Sequence, residues 1–257
     1  TTCPSTRNIE GCGVADITGL LFSATPVTIT LSDFTTVGGV ATDNCGIASY
    51  SYQDSQTGTC PIVVTRTFTV TDNCGNITTC QQTINIDDNT APTISCPAPQ
   101  SYSCASAVPV AATNYALFVA AGGTASVLCG TVTITHRGDV ISGQTCANRY
   151  TLTRTYRATD GCGNYTDCSQ SITVNDNVAP TADVLPALGP YSCYADIPSA
   201  NVNDVTGEAD NCSGAVTVAF VSDSSDPGCS GTVTRTYSLT DVCGNTVNIT
   251  QSITIQK

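Results

Sequence analysis

The chain has 257 residues and a net charge of −12 at pH 7, with 8 basic against 20 acidic side chains. This acidic balance argues against nucleic acids and anionic membrane surfaces as partners, because both present negative charge. No apolar run approaches the roughly 20 residues of a membrane span, and no basic segment leads into an apolar one as in a signal peptide. We therefore expect a mature or excised part of a secreted protein.

Cysteine usage indicates the compartment. The chain has 16 cysteines, an even number at recurring spacings, which is typical of disulfide-bonded extracellular proteins. Zinc binding is the rival interpretation, but it needs Cys or Cys/His clusters with closely spaced ligands. The chain has no C-x-x-C motif and a single histidine, His136. Disulfides and a secreted, extracellular or cell-surface location are therefore predicted.

Three similar segments divide the chain: TFTVTDNCGNITTCQQTINI (67–86), TYRATDGCGNYTDCSQSITV (155–174) and TYSLTDVCGNTVNITQSITI (236–255). Their central cysteines are 88 and 81 residues apart, the size of a small domain. The sequence therefore predicts three tandem domains. Copy one spans 1–88, copy two 89–177 and copy three 178–257.

The predicted elements within each copy are strands. In VVTRTFTVTD, Val64, Phe68 and Val70 alternate with threonines, as on a strand with one buried face. Gly and Asn-Gly breakers separate short runs of this kind, and only NYALFVAAGG (114–123) suggests a helical turn. The fold class predicted is all-β, with three tandem immunoglobulin-like β-sandwich domains rich in disulfides.

Missing cysteines predict two of the bridges. Copies one and two have six cysteines each and copy three has four. In copy three, Val184 or its neighbour stands opposite Cys96, and Ile249 stands opposite Cys168. Because bonded partners should be lost together, the entry strand is expected to be joined to the last strand of the same copy. The predicted pairs are Cys3–Cys80 and Cys96–Cys168.

The topology of an immunoglobulin-like sandwich predicts the other bridges. The loop between the second and third strands lies at the same end as the loop between the last two strands. We assign the TDNCG loop (42–46) and the TDNCGN turn (71–76) to these places. All eight bridges would then lie inside single copies. The further predicted pairs are Cys12–Cys60, Cys45–Cys74, Cys104–Cys146, Cys129–Cys162, Cys193–Cys229 and Cys212–Cys243.

The opening CP, the late C-x-Q-x-I-x-[IV] strand, the TD-x-CGN turn and the APT joint resemble the HYR-type immunoglobulin-like repeat. With DNCG and TRT[FY] before the turn, the chain is similar to repeats of secreted surface proteins and adhesins of Bacteroidota. The resemblance covers nearly the whole chain, although copy three lacks the terminal bridge. It implies the fold more closely than the function, because such repeats serve as stalks, adhesive modules and filament bodies.

Catalysis is not predicted. His136 is the only imidazole, and no nucleophile or phosphate-loop motif occurs. Asp87 and Asp88 lie in a joint, the segment between two successive copies, rather than in a cleft. The arginine of each TRT[FY] motif is expected to pack its stem and to place its head on carbonyls or a carboxylate. These arginines are Arg66, Arg154 and Arg235.

Calcium is the one cofactor that the joints suggest. INIDDNTAPT and VNDNVAPT are rich in oxygen ligands, and the turn of the next copy would lie beside them. The alternative is that Asp and Asn only make the turns. The candidate ligands are Asp87, Asp88, Asn89, Asp160, Asp176, Asn177, Asp210 and Asp241.

Apolar insertions in copies one and two indicate self-association. Copy three lacks the segments ITGLLFSATPVTI (17–29) and NYALFVAAGG. If these segments are exposed, they mark an interface. The alternative is that they complete the local core. The expected function is a structural subunit or segment of an extracellular bacterial filament or adhesin stalk, assembling head-to-tail into a polymer. The alternative is a calcium-stiffened adhesin module for a carbohydrate or protein ligand. The expected interface residues are Leu20, Leu21, Phe22, Tyr115, Leu117 and Phe118.

Overall fold

A computed structural model describes all residues 1–257, and it confirms an all-β, disulfide-bonded fold. The residues group into two compact units. One unit contains residues 1–97, 112–136 and 156–168, and the other contains residues 98–111, 137–155 and 169–257. Both units therefore include residues of copy two.

Copy one forms a five-stranded sheet in the order β1-β5-β4-β3-β2. Strand β1 pairs in parallel with β5, and the other pairs are antiparallel. The elements are β1 (Arg7–Glu10), a 3₁₀ helix (Val14–Asp16), β2 (Val27–Ile29), α1 (Leu31–Thr36), β3 (Ile47–Thr57), β4 (Ile62–Asp72) and β5 (Ile77–Asp87).

Copy two forms a four-stranded sheet in the order β7-β11-β10-β9 and a separate β6-β8 pair. Strand β7 pairs in parallel with β11, as β1 does with β5. The elements are β6 (Thr93–Ser95), β7 (Gln100–Tyr102), a 3₁₀ helix (Ala105–Ala107), α2 (Tyr115–Ala120), β8 (Thr124–Ser126), β9 (Thr133–Cys146), β10 (Arg149–Thr159) and β11 (Tyr165–Asn175).

Copy three forms a sheet in the order β12-β15-β14-β13, again with its entry strand parallel to its last strand. Each large sheet thus has the same topology, in which an entry strand lies beside a long antiparallel hairpin. The elements are β12 (Leu188–Tyr191), 3₁₀ helices (Tyr194–Asp196 and Val202–Asp204), β13 (Thr217–Asp223), β14 (Ser230–Thr240) and β15 (Thr246–Gln256).

The core of the first two copies is completed by α1, which follows the insertion of copy one, and by α2, which lies in the insertion of copy two. Phe34 of α1 packs on Phe68 with ring centroids 5.2 Å apart, and Phe118 of α2 packs on Tyr156 at 5.0 Å. A Cβ on Gly123 would lie 2.4 Å from the Phe118 ring, so the glycine leaves room for the ring.

The interface prediction is therefore wrong for Phe118, which is fully buried in this core. Leu20 and Phe22 are half-buried and pack on buried core residues of copy one. Leu21, Tyr115 and Leu117 are exposed, so they stay candidates for an interface. The insertions thus serve mainly to complete the local core, which was the alternative interpretation.

Candidate functional site: paired disulfide junctions

Two bridges join an entry segment to a late strand within one copy. They are Cys3–Cys80 and Cys96–Cys168, each with Cα atoms 5.6 Å apart. These are the two pairs inferred from the cysteines that copy three lacks. Each bridge links the start of a copy to the last strand of the same copy.

The other four bridges link successive copies, and this corrects the within-copy pairing predicted for those cysteines. The predicted pairs Cys12–Cys60, Cys104–Cys146, Cys129–Cys162 and Cys212–Cys243 are not formed. The bonds formed are Cys12–Cys129, Cys60–Cys162, Cys104–Cys212 and Cys146–Cys243.

These four bonds follow one rule. Apart from the pair that joins the entry strand to the last strand, each copy has four cysteines, which we number first to fourth in chain order. The first and third form a trailing half, and the second and fourth form a leading half. The trailing half of one copy bonds to the leading half of the next, first to second and third to fourth. We call each bonded set a junction.

The two bridges of a junction lie close together. Cys12, Cys60, Cys129 and Cys162 line one cavity of about 190 Å³. The Cα–Cα distances of the four junction bridges are 5.2, 5.4, 5.2 and 5.2 Å, as disulfide geometry requires. The first junction thus makes two covalent links through one small region.

The recurring TD-x-CGN turn positions the fourth cysteine. In copy two, Asp160 Oδ1 accepts hydrogen bonds from the backbone N–H groups of Cys162 (2.8 Å) and Asn164 (2.9 Å), and Oδ2 accepts from Asn164 Nδ2 (2.9 Å). Gly163 has φ +93°, a conformation that glycine adopts without a steric penalty. The same three bonds to the aspartate recur at Asp72 and Asp241.

These bonds set the charge state of the turn. Burial opposes ionisation of Asp160, but the hydrogen bonds from Asn164 and Cys162 outweigh it and lower its pKa. Burial is likewise outweighed at Asp241, so its pKa is also lowered. At Asp72, the hydrogen bond from the Asn76 side chain is the largest cause of a lowered pKa. All three turns are therefore held by carboxylates at neutral pH.

The asparagine of the turn also donates a hydrogen bond to the end of the preceding copy. Asn164 Nδ2 donates to the carbonyl oxygen of Asp88 at 2.6 Å, and Asn245 Nδ2 donates to that of Asp176 at 3.2 Å. In the second junction, the Arg149 guanidinium adds hydrogen bonds to the carbonyl oxygens of Asp176 and Cys243. Each junction therefore combines two disulfides with a hydrogen-bonded joint.

Four cysteines are free and exposed, so the predicted pairs Cys45–Cys74 and Cys193–Cys229 are not formed. Cys45 and Cys74 are the leading half of copy one, and Cys193 and Cys229 are the trailing half of copy three. A hydrogen bond with the Cys74 thiol is the largest cause that raises the pKa of Cys45, with burial and Asp43 adding to it.

The proposed calcium ligands mostly have other partners. Asp160 and Asp241 hold the turns, Asp87 contacts the Sγ of Cys60, and Asn89 donates hydrogen bonds to Glu10. The carboxylate Oδ2 of Asp88 is buried without a hydrogen-bond partner. These groups do not come together as one ligand set.

Asp176 and Asp210 are the exception. Their carboxylate oxygens lie within 4.8 Å of each other and of the Cys212 sulfur, which is bonded to Cys104. Asp176 is fully buried, and one carboxylate oxygen of each aspartate has no hydrogen-bond partner. Carboxylate oxygens that lie this close together without hydrogen-bond partners are suitable ligands for a hard cation.

The three recurring arginines take the structural role that was predicted. Arg66 pairs with both carboxylate oxygens of Asp54 at 2.8 Å and donates to the Leu21 carbonyl at 3.1 Å. Equivalent contacts to a carboxylate and a proline carbonyl recur in the other copies. They are Arg154 with Asp139 and Pro109, and Arg235 with Asp223 and Pro198.

Residues 191–255, about a quarter of the chain, match a family model described as an HYR-like domain with 4 cysteines. The matched segment holds Cys193, Cys212, Cys229 and Cys243, the trailing and leading halves of copy three. The match agrees with the resemblance drawn from the motifs. A search of curated proteins finds no match, and no helix is long and apolar enough to cross a bilayer.

Several solved structures are similar at low scores. Mouse Protocadherin-24 EC1-3 has 12% identity and a TM-score of 0.32, with 100% of this chain and 97% of that chain covered. Human CDH23 EC21-23 has 11% identity and a TM-score of 0.29, with 98% of each chain covered. The Protocadherin gammaB7 EC3-6 cis-dimer structure has 12% identity and a TM-score of 0.31, covering 91% and 77%. At these scores the likeness carries no argument about function.

Proposed function

We propose that the chain is a structural module of an extracellular filament or adhesin stalk of a bacterium, built from three covalently joined domains, 1–88, 89–177 and 178–257. The observation that supports this proposal is the paired disulfide junction between successive copies. A protein that transmits tension needs successive domains that do not separate. Two disulfides in one small region meet that need.

The loop lengths support the same role. The junction bridges close loops with sequence separations of 97 to 117 residues. In the chain-entropy model, a loop of about 100 residues lowers the entropy of the unfolded chain enough to stabilise the fold by about 4.7 kcal/mol, an upper value. Covalent bonds also remain when the domains are transiently strained, whereas a non-covalent contact dissociates.

Immuno-electron microscopy of the native cells tests this function. An antibody against the folded chain should label fibres or stalks outside the cell. Labelling confined to the cell interior, or to particles with no extended structure, would contradict the proposal. Pre-absorption of the antibody with the purified chain is the control, since it should remove the label.

Cleavage in a joint tests the covalent link itself. A protease site placed after Asn89, in the first joint, should give two fragments that stay together on a non-reducing gel and separate after reduction. The matched control replaces Cys12, Cys60, Cys129 and Cys162 by serine, and its fragments should separate without reductant. Separation of the fragments of the parent chain without reductant would show that the junction is not covalent.

A second candidate function is supported by Asp176 and Asp210. Their unpartnered, buried carboxylate oxygens favour a cation at the second junction, and hard cations such as calcium prefer oxygen ligands. The bound cation would stiffen that joint in an adhesin that presents a carbohydrate or protein ligand. This proposal concerns one pair of aspartates rather than the full ligand set expected from the joints.

A further inference from the structure

The free cysteines are the two unmatched halves of a junction. Cys45 and Cys74 form a leading half with no trailing half bonded to it, and Cys193 and Cys229 form a trailing half with no leading half. Every other half is bonded by the same rule. The two free thiols of the trailing half are therefore of the kind that bonds, by this rule, to the two free thiols of the leading half.

The unmatched leading half has the local structure of a bonded one. The Cys74 amide donates to Asp72 at 2.8 Å, as the Cys162 amide does to Asp160. The Cys45 amide donates to Asp43 at 2.7 Å, and in copy three Cys212 makes the corresponding bond to an aspartate at 3.0 Å. The leading half is thus folded before a partner arrives.

The unmatched trailing half also matches its bonded counterparts. Cys193 immediately precedes a 3₁₀ helix, as Cys104 does, and its amide donates to Asp196 at 3.0 Å. In the first junction, the amides of Cys12 and Gly13 make similar bonds to Asp16, at 2.6 and 3.0 Å. Cys229 lies directly before β14, and the other third cysteines, Cys60 and Cys146, lie shortly before the equivalent strands β4 and β10.

We propose that a second molecule of this chain completes the junction, with Cys193 of one molecule bonded to Cys45 of the next and Cys229 bonded to Cys74. This inference rests on the proposed structural function and names its partner. Such a contact joins two different surfaces, so it repeats from molecule to molecule and builds a polymer.

The bond-forming chemistry needs an oxidant. Two thiols form one disulfide with loss of two protons and two electrons, and a low-molecular-weight disulfide such as oxidised glutathione accepts them as it becomes two thiols. Each molecule-to-molecule junction therefore consumes two equivalents of this oxidant. The exchange proceeds through a mixed disulfide that the second protein thiol resolves.

Charge favours a copy of the same chain over an unrelated partner. Lys257, the only lysine, is the residue of copy three that corresponds to Asp176 of copy two. Each lies fourteen residues after the fourth cysteine of its copy, Cys243 and Cys162. At the second junction, Asp176 lies beside Asp210, and Asp43 is the residue of copy one that corresponds to Asp210. In the proposed contact, Lys257 would thus lie beside an aspartate and form an ion pair where the internal junction has two carboxylates.

The joint hydrogen bond would also be repeated. Asn76 donates to Asp72 at 2.7 Å, as Asn164 and Asn245 donate to their own turn aspartates. Those two asparagines also donate to the joint carbonyl of the preceding copy. Asn76 is therefore expected to donate to the carbonyl oxygen of Lys257 of the preceding molecule.

Two complementary variants of the full chain test the proposal. The leading-only variant is Cys193→Ser with Cys229→Ser, and the trailing-only variant is Cys45→Ser with Cys74→Ser. Both keep all six internal disulfides. The parent chain in a glutathione redox buffer should give a ladder on a non-reducing gel, and reduction should collapse it. Each variant alone should stay monomeric, and an equimolar mixture should give one dimer band.

Peptide mapping of that dimer should find Cys193 linked to Cys45 and Cys229 linked to Cys74. The proposal is overturned if the parent chain stays monomeric with four thiols, if it forms Cys45–Cys74 and Cys193–Cys229 within one molecule, or if either variant dimerises alone. Intact Cys12–Cys129 and Cys60–Cys162 peptides in such a monomer would leave the proposed structural function standing, so the two failures are distinguishable.

A charge exchange tests the choice of partner surface. Lys257→Glu should slow ladder formation at least several-fold at low ionic strength, because it faces Asp43 in the proposed contact. Combining it with Asp43→Lys should restore the rate by recreating an opposite pair. A double variant no faster than Lys257→Glu alone would overturn the proposed placement of Lys257 beside Asp43.

Discussion

Replacing Asp54 by alanine should destabilise copy one more than the equivalent change in either other copy. Arg66 and Asp54 have side chains that are 1% and 0% exposed, and they share two hydrogen bonds of 2.8 Å. Removing the carboxylate leaves a buried guanidinium whose remaining hydrogen bond goes to the Leu21 carbonyl. Breaking a buried pair in this way costs about 3–5 kcal/mol.

The other copies supply matched controls. The carboxylates of Asp139 and Asp223 are 27% and 18% exposed, against 0% for Asp54. Water can therefore reach the arginine once either of these carboxylates is removed, and part of the desolvation cost disappears. We expect Asp139→Ala and Asp223→Ala to cost about 1–3 kcal/mol each, the range for a polar group left without its partner.

Urea denaturation followed by tyrosine fluorescence measures these costs, and hydrogen exchange of peptides from β4 assigns them to copy one. The Ser23 amide, which donates to Asp54 at 3.0 Å, should lose protection from exchange in Asp54→Ala. A cost below about 1 kcal/mol for Asp54→Ala would refute the burial argument. So would an equal cost in all three copies.

Three further outcomes follow from the same contacts. Calcium should raise the melting temperature relative to chelator, and Asp176→Asn should remove this difference; a parent chain insensitive to chelator would exclude the cation. Phe118→Ala should cost about 3–5 kcal/mol through the cavity it leaves, whereas Leu21→Asp should change stability by less than about 0.5 kcal/mol because Leu21 is exposed; equal costs would contradict this assignment. Cys74→Ala should speed iodoacetamide alkylation of Cys45 at pH 7, because removal of the hydrogen bond that raises the pKa of Cys45 increases the thiolate fraction; an unchanged rate would contradict that cause.

The long hairpins could be predicted from the sequence because their signal is local. Alternation along β4 places Val64, Phe68 and Val70 on one face, and all three are buried. The arginine in phase with them could also be assigned, since a charge on a core-facing position needs a partner. The Cys3–Cys80 bond followed from two cysteines that are missing together in copy three.

The sequence suggested α2 as a helical turn at 114–123, but α1 was not predicted, although the sequence contains a signal for both helices. Thr30 and Asp33 form a capping box at the start of α1, and Asn114 caps α2. Both helices also share the pattern F-x-x-x-G-G, at Phe34 and at Phe118. A pattern that repeats in two copies indicates a part of the fold, so it favours the core rather than an interface for both Phe34 and Phe118.

The partners of the junction cysteines could not be predicted from one copy. Sandwich topology shows which loops share an end of a domain, and it correctly suggested that Cys45 and Cys74 lie close together. It contains no information about whether such loops bond to each other or to the next domain. Both pairings use every cysteine of copy two, so counting the cysteines of that copy does not distinguish them.

The turn explains why bonding across the junction is favoured over bonding within it. Asp160 holds the Cys162 amide and the Asn164 amide, and Gly163 has a positive φ. The turn at Asp72 has the same bonds although its cysteine is free, so the turn does not need the disulfide to form. The Asn164 side chain then uses its second N–H on the carbonyl of Asp88, at the end of the preceding copy. Because the asparagine hydrogen-bonds to the preceding copy, the turn also places its cysteine near the cysteines of that copy. The same turn at Asp72, with Asn76 in place, therefore has the form that bonds to a neighbouring copy at the two internal junctions.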